Sequence, residues 1–319
     1  TNSGGVLGML LDAYQLGRKL LKSKGEWVIS VQDPFESGFV GYLLAKTTGT
    51  PLLVQEHGNF FLQPYWRSES FVNRLRYLVG LWVVRKADVV RAVSTRIRDT
   101  LVVVGVKKER IHVSSVYTEL DTFIHAEPDE KLRALVSGDE LLVLTLARFV
   151  PQKNLPLMVR AFIRAYKKGA NMKLVLVGSG EEKEKAENEA RKAPEGSIVF
   201  QEWTDSPEQA MKAADIYVLS SNYEGWGRVC IEALAAGVPL LMTKVGCADE
   251  VVIDGVDGLV VDVDDEWAFS EGLYRLATDK ELRNKLSAEG QRTVSQMPTF
   301  ERNVSLYIES LRACQKTKK

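Results

Sequence analysis

The chain is 319 residues long, 45% hydrophobic and 26% charged, with 42 Lys/Arg balancing 42 Asp/Glu to a formal net charge of zero. That length and apolar content can bury substantial cores and divides most naturally into two domains, while the zero charge and the lack of any groove-reading motif argue against a nucleic-acid partner. Three cysteines (Cys230, Cys247, Cys314), odd in number and widely spaced, make neither a disulfide framework nor a zinc-ligand pattern and fit a reducing cytoplasm.

The charge is uneven along the chain. Residues 1–123 hold 16 Lys/Arg against 11 Asp/Glu, leaving 26 against 31 for the rest, so the front half favours anionic partners. No run of about twenty apolar residues is present to span a bilayer. The opening Thr1-Asn2-Ser3-Gly4-Gly5 lacks both a methionine and a signal-peptide layout, as if something upstream were missing.

In chain order, apolar strands at 27–31, 51–55 and 88–92 alternate with helices at 38–46 and from about Ser94, and a further strand ends at Val113. After a polar stretch at 126–139 the rhythm resumes with strands at 141–146, 173–177, 198–200, 216–220, 240–243 and 259–261. This is the pattern of parallel sheets with crossover helices. It predicts an α/β protein of two Rossmann-like, doubly wound domains. The first covers 1–123 together with a returning terminal helix at 300–319, and the second covers 124–299. The charge-dense stretch 181–192 reads as a solvated helix face.

Doubly wound domains hold ligands at the carboxyl ends of their strands, so the functional side chains are expected at strand ends. The strand at 216–220 runs into Ser221-Asn222-Tyr223-Glu224-Gly225-Trp226-Gly227-Arg228, and an Ala/Leu-rich helix from about Arg228 to Ala236 closes at Gly237 and Pro239. A strand, glycine turn and helix in this order present free N–H groups at the positive end of a helix dipole, where a phosphate is the natural occupant. Glu232, about one turn into the helix, is an acceptor suited to two neighbouring hydroxyls such as those of a ribose, and Glu224 in the loop faces whatever lies beyond the phosphates. Both carboxylates also read simply as solvated side chains.

The strand at 141–146 ends in Ala147-Arg148-Phe149-Val150-Pro151-Gln152-Lys153-Asn154, which brings two cations to the start of a helix. There they either clamp a diphosphate or are ordinary surface charges. The turn Gly178-Ser179-Gly180 after the next strand permits close approach by a ligand. In the front half, Glu56-His57-Gly58-Asn59 puts a histidine at a strand end, as a catalyst or as a structural residue; His112 and His125 lack that context. Residues 65–86 interleave Trp66, Phe71, Leu75, Leu78, Leu81 and Trp82 with Arg67, Arg74, Arg76, Arg85 and Lys86. Such a helix either packs into the core or lies on an anionic membrane.

The order Gln55-Glu56-His57-Gly58, Val93-Ser94, Leu146-Ala147-Arg148 with Lys153, Val177-Gly178-Ser179-Gly180, and Glu224 followed eight positions later by Glu232 resembles the GT-B glycosyltransferases of family 4 over nearly the whole chain. The resemblance implies a retaining, metal-independent transferase with no cofactor, which moves a sugar from a UDP- or GDP-linked donor to a glycan, lipid-linked or small-molecule acceptor. It implies cell-envelope polysaccharide biosynthesis, in the cytoplasm or peripheral at the inner face of the membrane. It assigns the ribose to Glu232, the diphosphate to Arg148 and Lys153, and the sugar and phosphate oxygens to Glu224 with Gly225, Trp226, Gly227, Arg228 and Val229. His57 would approach the sugar from the other domain, and Gly178, Gly180 and Trp203 flank the base. His57, Glu224, Arg148 and Lys153 form the expected catalytic set.

The chain departs from the family's pattern in several places. Residues 27–34 resemble a later strand of the first domain, so its first part is expected to be missing. Gly4-Gly5 mimics the family's early glycine loop, but the next strand leads too quickly to His57. Thr118-Glu119-Leu120-Asp121 keeps only the last residue of a family Asn-Gly-Val-Asp, and Arg228 stands where the family has an apolar residue. A sugar-nucleotide epimerase and a non-catalytic nucleotide-sugar-binding fragment remain alternatives. A hydrolase using Glu224 and Glu232 as its carboxylate pair fits less well, since Glu232 lies too deep in the helix and a glycosidase has no use for the two cations.

Overall fold

The structure is a computed structural model that describes residues 5–23 and 25–317, so Gly4 of the Gly4-Gly5 pair and Thr1 to Ser3 lie outside it. The chain forms two compact units, Thr1–Tyr117 with Pro298–Lys319, and Thr118–Met297.

Unit 1 runs α1 (Val6–Leu20), β1 (Ile29–Val31), α2 (Glu36–Thr48), β2 (Leu52–Glu56), α3 (Pro64–Glu69), α4 (Phe71–Lys86), β3 (Val89–Ala92), α5 (Thr95–Val103) and β4 (Ile111–Val113). Its four strands are parallel and pair in chain order, β1-β2-β3-β4. Successive side chains of a strand face opposite ways, and β2 is covered on both sides. Leu52 meets α2 at Gly41, where an added Cβ would come within 3.1 Å of it, and Leu53 clusters with Val89 and Cys314 of the terminal helix.

The stretch 65–86 is two helices rather than one. Ser70 is extended between them, and its side chain caps α4 by accepting from Asn73 N at 3.0 Å. Gly80, Val83 and Val84 face inward, whereas Phe71 (70% exposed), Leu75, Leu78 and Trp82 lie on the surface. Of the apolar residues that suggested an amphipathic helix, only Trp66 is buried.

Unit 2 runs α6 (Asp121–His125), α7 (Glu130–Arg133), β5 (Leu141–Leu146), α8 (Leu155–Lys167), β6 (Met172–Val177), α9 (Lys183–Ala190), β7 (Ile198–Gln201), α10 (Pro207–Ala213), β8 (Ile216–Leu219), α11 (Arg228–Ala236), β9 (Leu240–Thr243), β10 (Leu259–Val261), α12 (Glu266–Thr278) and α13 (Lys280–Ser295). The six parallel strands are ordered β10-β9-β8-β5-β6-β7. Phe149, Phe162 and Phe269, all fully buried, anchor the core between the sheet and α8 and α12.

The terminal helix α14 (Phe300–Lys316) packs on β2 and β3 of unit 1. Polar contacts fix it there: Gln55 Nε2 donates to Tyr307 Oη at 3.3 Å, the Arg91 guanidinium lies 5.1 Å from the Tyr307 ring, and Ser115 Oγ donates to Asn303 Oδ1 at 3.2 Å. The units divide at 117/118 and 297/298, a few residues before the expected 123/124 and 299/300. Part of the reason is that α6 packs on α10 and α11. The polar stretch at 126–139 is itself built into unit 2, through Asp129 N to Gln209 O at 3.0 Å and Arg133 to Asp215 at 2.6 Å. No described helix is long and apolar enough to cross a membrane.

Candidate functional site

The strand order of unit 2 reverses between β5 and β8, with β6 and β7 laid down on one side and β9 and β10 on the other. At such a switch point the loops leaving the carboxyl ends of the two central strands part and leave a ligand crevice. Here those loops are 147–154 and 220–227, which carry Arg148, Lys153, Glu224, Gly225, Trp226 and Gly227 of the residues expected to act.

The two loops are laced together. Asn222 N donates to Gln152 O at 2.8 Å, and Gln152 Nε2 to Tyr223 O at 2.9 Å. Asn154 Nδ2 donates to Asn222 Oδ1 at 2.9 Å, and Ser220 Oγ to Lys153 O at 2.8 Å. On this frame Lys153 Nζ reaches Glu224 Oε1 at 2.6 Å, and Ser221 Oγ donates to the same oxygen at 2.8 Å. Glu224 is therefore no solvated loop residue: it is 9% exposed. Ser221 is fixed in turn by Thr243 Oγ1 of β9, which donates to its carbonyl at 2.6 Å. Sequence reading gave Gln152, Asn154, Ser220, Ser221, Asn222 and Thr243 no role. The available signal was the concentration of short amide and hydroxyl side chains at adjacent strand ends, the residue types that bond nearby backbone.

Behind the loop, Gly225, Trp226 and Gly227 turn the chain into α11. Gly227 is left-handed (φ 79°) and forms the N-cap, and no side chain caps the helix. Its first turn also lacks an acidic residue, so the positive end of its dipole faces the turn unneutralised. Gly246 of the loop after β9 supports the turn from beneath. At φ 54° it lies so close that a Cβ would stand 2.6 Å from Trp226 O. Under Gly227 the buried thiols of Cys230 and Cys247 meet, and the hydrogen bond between them and their burial push Cys230 well up.

Arg228, in the first turn, is exposed and contacts Glu232 one turn on, with Nη2 3.3 Å from Oε1. The Glu232 side chain is 13% exposed. Burial raises its carboxyl and Arg228 counteracts that. Val229 is half-buried beside it. The Arg148 side chain is exposed and joins no ion pair or side-chain hydrogen bond among the described residues. Trp203 is exposed after β7.

The spacing around the Gly178-Ser179-Gly180 turn is set by protein. At φ 147° and 148°, Cβ atoms on Gly178 and Gly180 would stand 1.9 Å from Ala147 O and 2.3 Å from Phe149 O. Phe149 N donates to Ser179 O at 2.7 Å. These glycines dock the β6 loop onto the loop that carries Arg148.

In unit 1, His57 follows β2, with Nε2 buried and without a hydrogen-bond partner among the described residues. Burial, and then the charge of Arg91, lower its imidazole. Among the described residues no group of three or more His, Cys, Asp or Glu side chains is arranged to hold a metal ion.

Chemically, unit 2 offers two cations, an uncapped helix N-terminus and two carboxylates with different partners. That set suits a ligand with an anionic centre and hydroxyls beside it.

Comparison with known proteins points the same way. The family model described as Glycosyl transferases group 1 matches residues 127–293, and the Glycosyl transferase 4-like domain model matches residues 3–116. The lipopolysaccharide core biosynthesis glycosyltransferase LpsE of Rhizobium meliloti (strain 1021) is 26% identical over 252 residues, covering 78% of this chain and 72% of that protein. HepE of Anabaena, in complex with UDP and glucose, superposes with a TM-score of 0.77 at 19% identity over 98% of this chain and 84% of that one. A TarM mutant of S. aureus, in complex with Fondaparinux, alpha-GlcNAc-glycerol and UDP, gives a TM-score of 0.76 at 16% identity. The match covers 94% of this chain but 58% of the TarM chain. At such identities the structural likeness is one of fold.

Proposed function

The chain belongs to the Glycosyl transferases group 1 family, and from that premise we propose that it transfers a sugar from a nucleoside-diphosphate sugar to a glycan or lipid-linked acceptor, retaining the anomeric configuration and using no metal ion. The fold is that of the GT-B enzymes. The observation that carries the reading is the Lys153–Glu224 pair, 2.6 Å apart at the switch point, beside the uncapped N-terminus of α11.

In this proposal the diphosphate lies against the first N–H groups of α11, with Arg148 and Lys153 supplying positive charge. As the glycosidic bond breaks, its electron pair leaves on the phosphate oxygen, and cations and oriented N–H groups stabilise that growing charge. The acceptor oxygen bonds the anomeric carbon on the same face and its proton passes to the departing diphosphate. Glu232 accepts from the ribose hydroxyls. Glu224, held rigid by Lys153 and Ser221, accepts from the sugar. His57, its imidazole lowered by burial, is the catalytic candidate that unit 1 contributes. Trp203, Gly178 and Gly180 flank the base.

Relatives support finer choices. The HepE structure holds UDP and glucose, and LpsE is named for lipopolysaccharide core biosynthesis, which favours UDP as the first donor to try and an envelope glycan as acceptor class. The exposed apolar residues of α4, with Arg67, Arg74, Arg85 and Lys86 in the same stretch, support peripheral contact with an anionic membrane.

The test is thermal unfolding with UDP, GDP, ADP and their sugar conjugates, on the wild type and on Glu232→Ala and Arg148→Ala. A ligand of the folded state raises the midpoint by mass action. One nucleotide should raise it in the wild type and neither variant should respond. A wild type that unfolds cooperatively and responds to no nucleotide would overturn the donor site.

A further inference from the structure

Glu56, the last residue of β2, is an ionisable side chain that the proposed chemistry leaves without a task. It is 1% exposed. Its Oε1 accepts from Phe60 N at 3.1 Å, while its Oε2 is buried without a hydrogen-bond partner among the described residues. The chain therefore leaves β2 by wrapping around the carboxylate of its own last strand residue, and His57 is the first residue of that wrap.

The wrap is a strained conformation held from two sides. Asn59 is left-handed at φ 54°, a region that costs a non-glycine residue on the order of 1 kcal/mol. From outside, the Phe60 ring is gripped by Phe35 at 5.2 Å and by Trp66 at 4.9 Å. From inside, the Glu56 carboxylate holds the Phe60 amide. Nε2 of His57 is buried and has no hydrogen-bond partner among the described residues, so no bond at that atom competes with the backbone that carries the imidazole.

We propose that Glu56 is a positioning residue, whose carboxylate holds the 57–60 loop in the one conformation that aims His57 for the transfer reaction. The proposal rests on the transferase reading and adds to it a residue outside the donor site. It also makes the aim of His57 depend on charge. Burial, with a contribution from Asp33 at the exit of β1, pushes the Glu56 carboxyl up to about 7 against the pull of the Phe60 amide and the backbone near it. The other charged neighbour is Arg91 of β3, which faces His57 and is engaged by Gln55 Oε1 at 2.7 Å and Ser114 O at 2.8 Å. Hydrogen bonds to an ionised acceptor are roughly twice as strong as those to a neutral one, so the loop tightens as pH rises through about 7.

Glu56→Gln retains size and one acceptor oxygen but removes the charge, and the full chain is the sample. Two-dimensional NMR reads the loop without any donor. The Phe60 amide of the wild type should titrate near pH 7, the same amide should be flat in Glu56→Gln, and the His57 imidazole signal should move between the two proteins. A flat wild-type amide, or a His57 signal that does not change, overturns the proposal. Turnover gives the second arm, with the UDP- or GDP-sugar selected by thermal shift. At pH 8 Glu56→Gln should lose about tenfold in kcat and the rise in kcat near pH 7, while nucleotide Kd stays within twofold. An unchanged kcat profile overturns the positioning role even if the NMR arm is met. A wild type that binds no nucleotide overturns the donor-site reading alone, and the NMR arm still decides the loop.

Discussion

Lys153 Nζ and Glu224 Oε1 stand 2.6 Å apart, joining the loop after β5 to the loop after β8, with side-chain exposures of 14% and 11%. A charge pair this enclosed is costly to break from one side, because the remaining charge keeps its desolvation penalty and loses its partner. Lys153→Ala should therefore destabilise unit 2 by roughly 1–3 kcal/mol, and Glu224→Gln should do so by less, since Ser221 and Lys153 can still donate to the amide oxygen. A double-mutant cycle in urea should show the two changes costing less together than their sum. Strict additivity would mean that the pair carries no coupling. In a transfer assay Lys153→Ala should lose about 100-fold in kcat, the usual scale for removing one stabiliser of developing negative charge.

Arg228 occupies the first turn of α11, where the dipole disfavours a cation, yet its Nη2 is 3.3 Å from Glu232. Burial raises the Glu232 carboxyl and Arg228 opposes this. Arg228→Leu removes the opposition, so the carboxyl should protonate at a higher pH and accept ribose hydroxyls less well as pH falls. Nucleotide Kd in the variant should be near wild type at pH 8 and should weaken several-fold more than wild type by pH 5.5. Parallel pH profiles for the two proteins would mean that Arg228 only reaches solvent.

Gly178 and Gly180 test whether the β6 loop is spaced by protein or by ligand. A Cβ at either position would run into a backbone carbonyl, at 1.9 Å from Ala147 O or 2.3 Å from Phe149 O, and both residues have φ near 148°. Gly178→Ala and Gly180→Ala should each cost roughly 2–4 kcal/mol in chemical denaturation without any nucleotide present. A loss of nucleotide affinity with unchanged stability would instead mean that the glycines make room for the ligand.

Sequence periodicity carried the strands of unit 2 because each is apolar, short and bounded by turn residues; 141–146, 240–243 and 259–261 match β5, β9 and β10. The helix at 228–236 was legible from its Ala/Leu run and its Gly237 stop, and Gly237 does cap α11 with a left-handed φ of 74°. At 65–86 the pattern misled, because Ser70 can either continue a helix or cap one. Here its side chain accepts from Asn73 N, and the helix restarts. Of the candidate site, single residues were legible as candidates from their place near a strand end, as with Arg148, Lys153 and Glu224. What remained hidden was pairing between segments: Lys153 with Glu224, and Gln152 with Tyr223, are 71 positions apart and meet only because the strand order reverses between β5 and β8.

The outward face of α4 tests the membrane proposal. Phe71, Leu75, Leu78 and Trp82 are exposed at spacings of three, four and seven residues, close to a single helical stripe, and basic residues lie in the same stretch. Flotation with vesicles containing phosphatidylserine should recover the wild type at low salt and less of it at 0.5 M salt, since the surface attraction is screened. Leu75→Ser with Leu78→Ser should abolish recovery while leaving the thermal midpoint within a few degrees, because neither side chain is buried. Equal flotation with neutral and anionic vesicles would remove the basic residues from the account.

Glu56 also makes unit 1 sensitive to pH in an unusual direction. Its folded carboxyl titrates near 7 against an ordinary value of 4.5, so the folded state holds a proton that the unfolded chain has released across that window. Stability contributed by the group is then complete below about 4.5 and falls as pH rises to about 7, the reverse of a salt-bridged carboxylate. The difference corresponds to on the order of 3 kcal/mol. Urea unfolding of the wild type, followed through a probe in unit 1, should lose stability between pH 5 and pH 8. Glu56→Gln cannot ionise and should lose far less, becoming the more stable protein at pH 8 even as its kcat falls. A variant that is less stable than wild type at both pH values would mean that the carboxylate is worth more to the 57–60 loop as an acceptor than it costs as a buried charge.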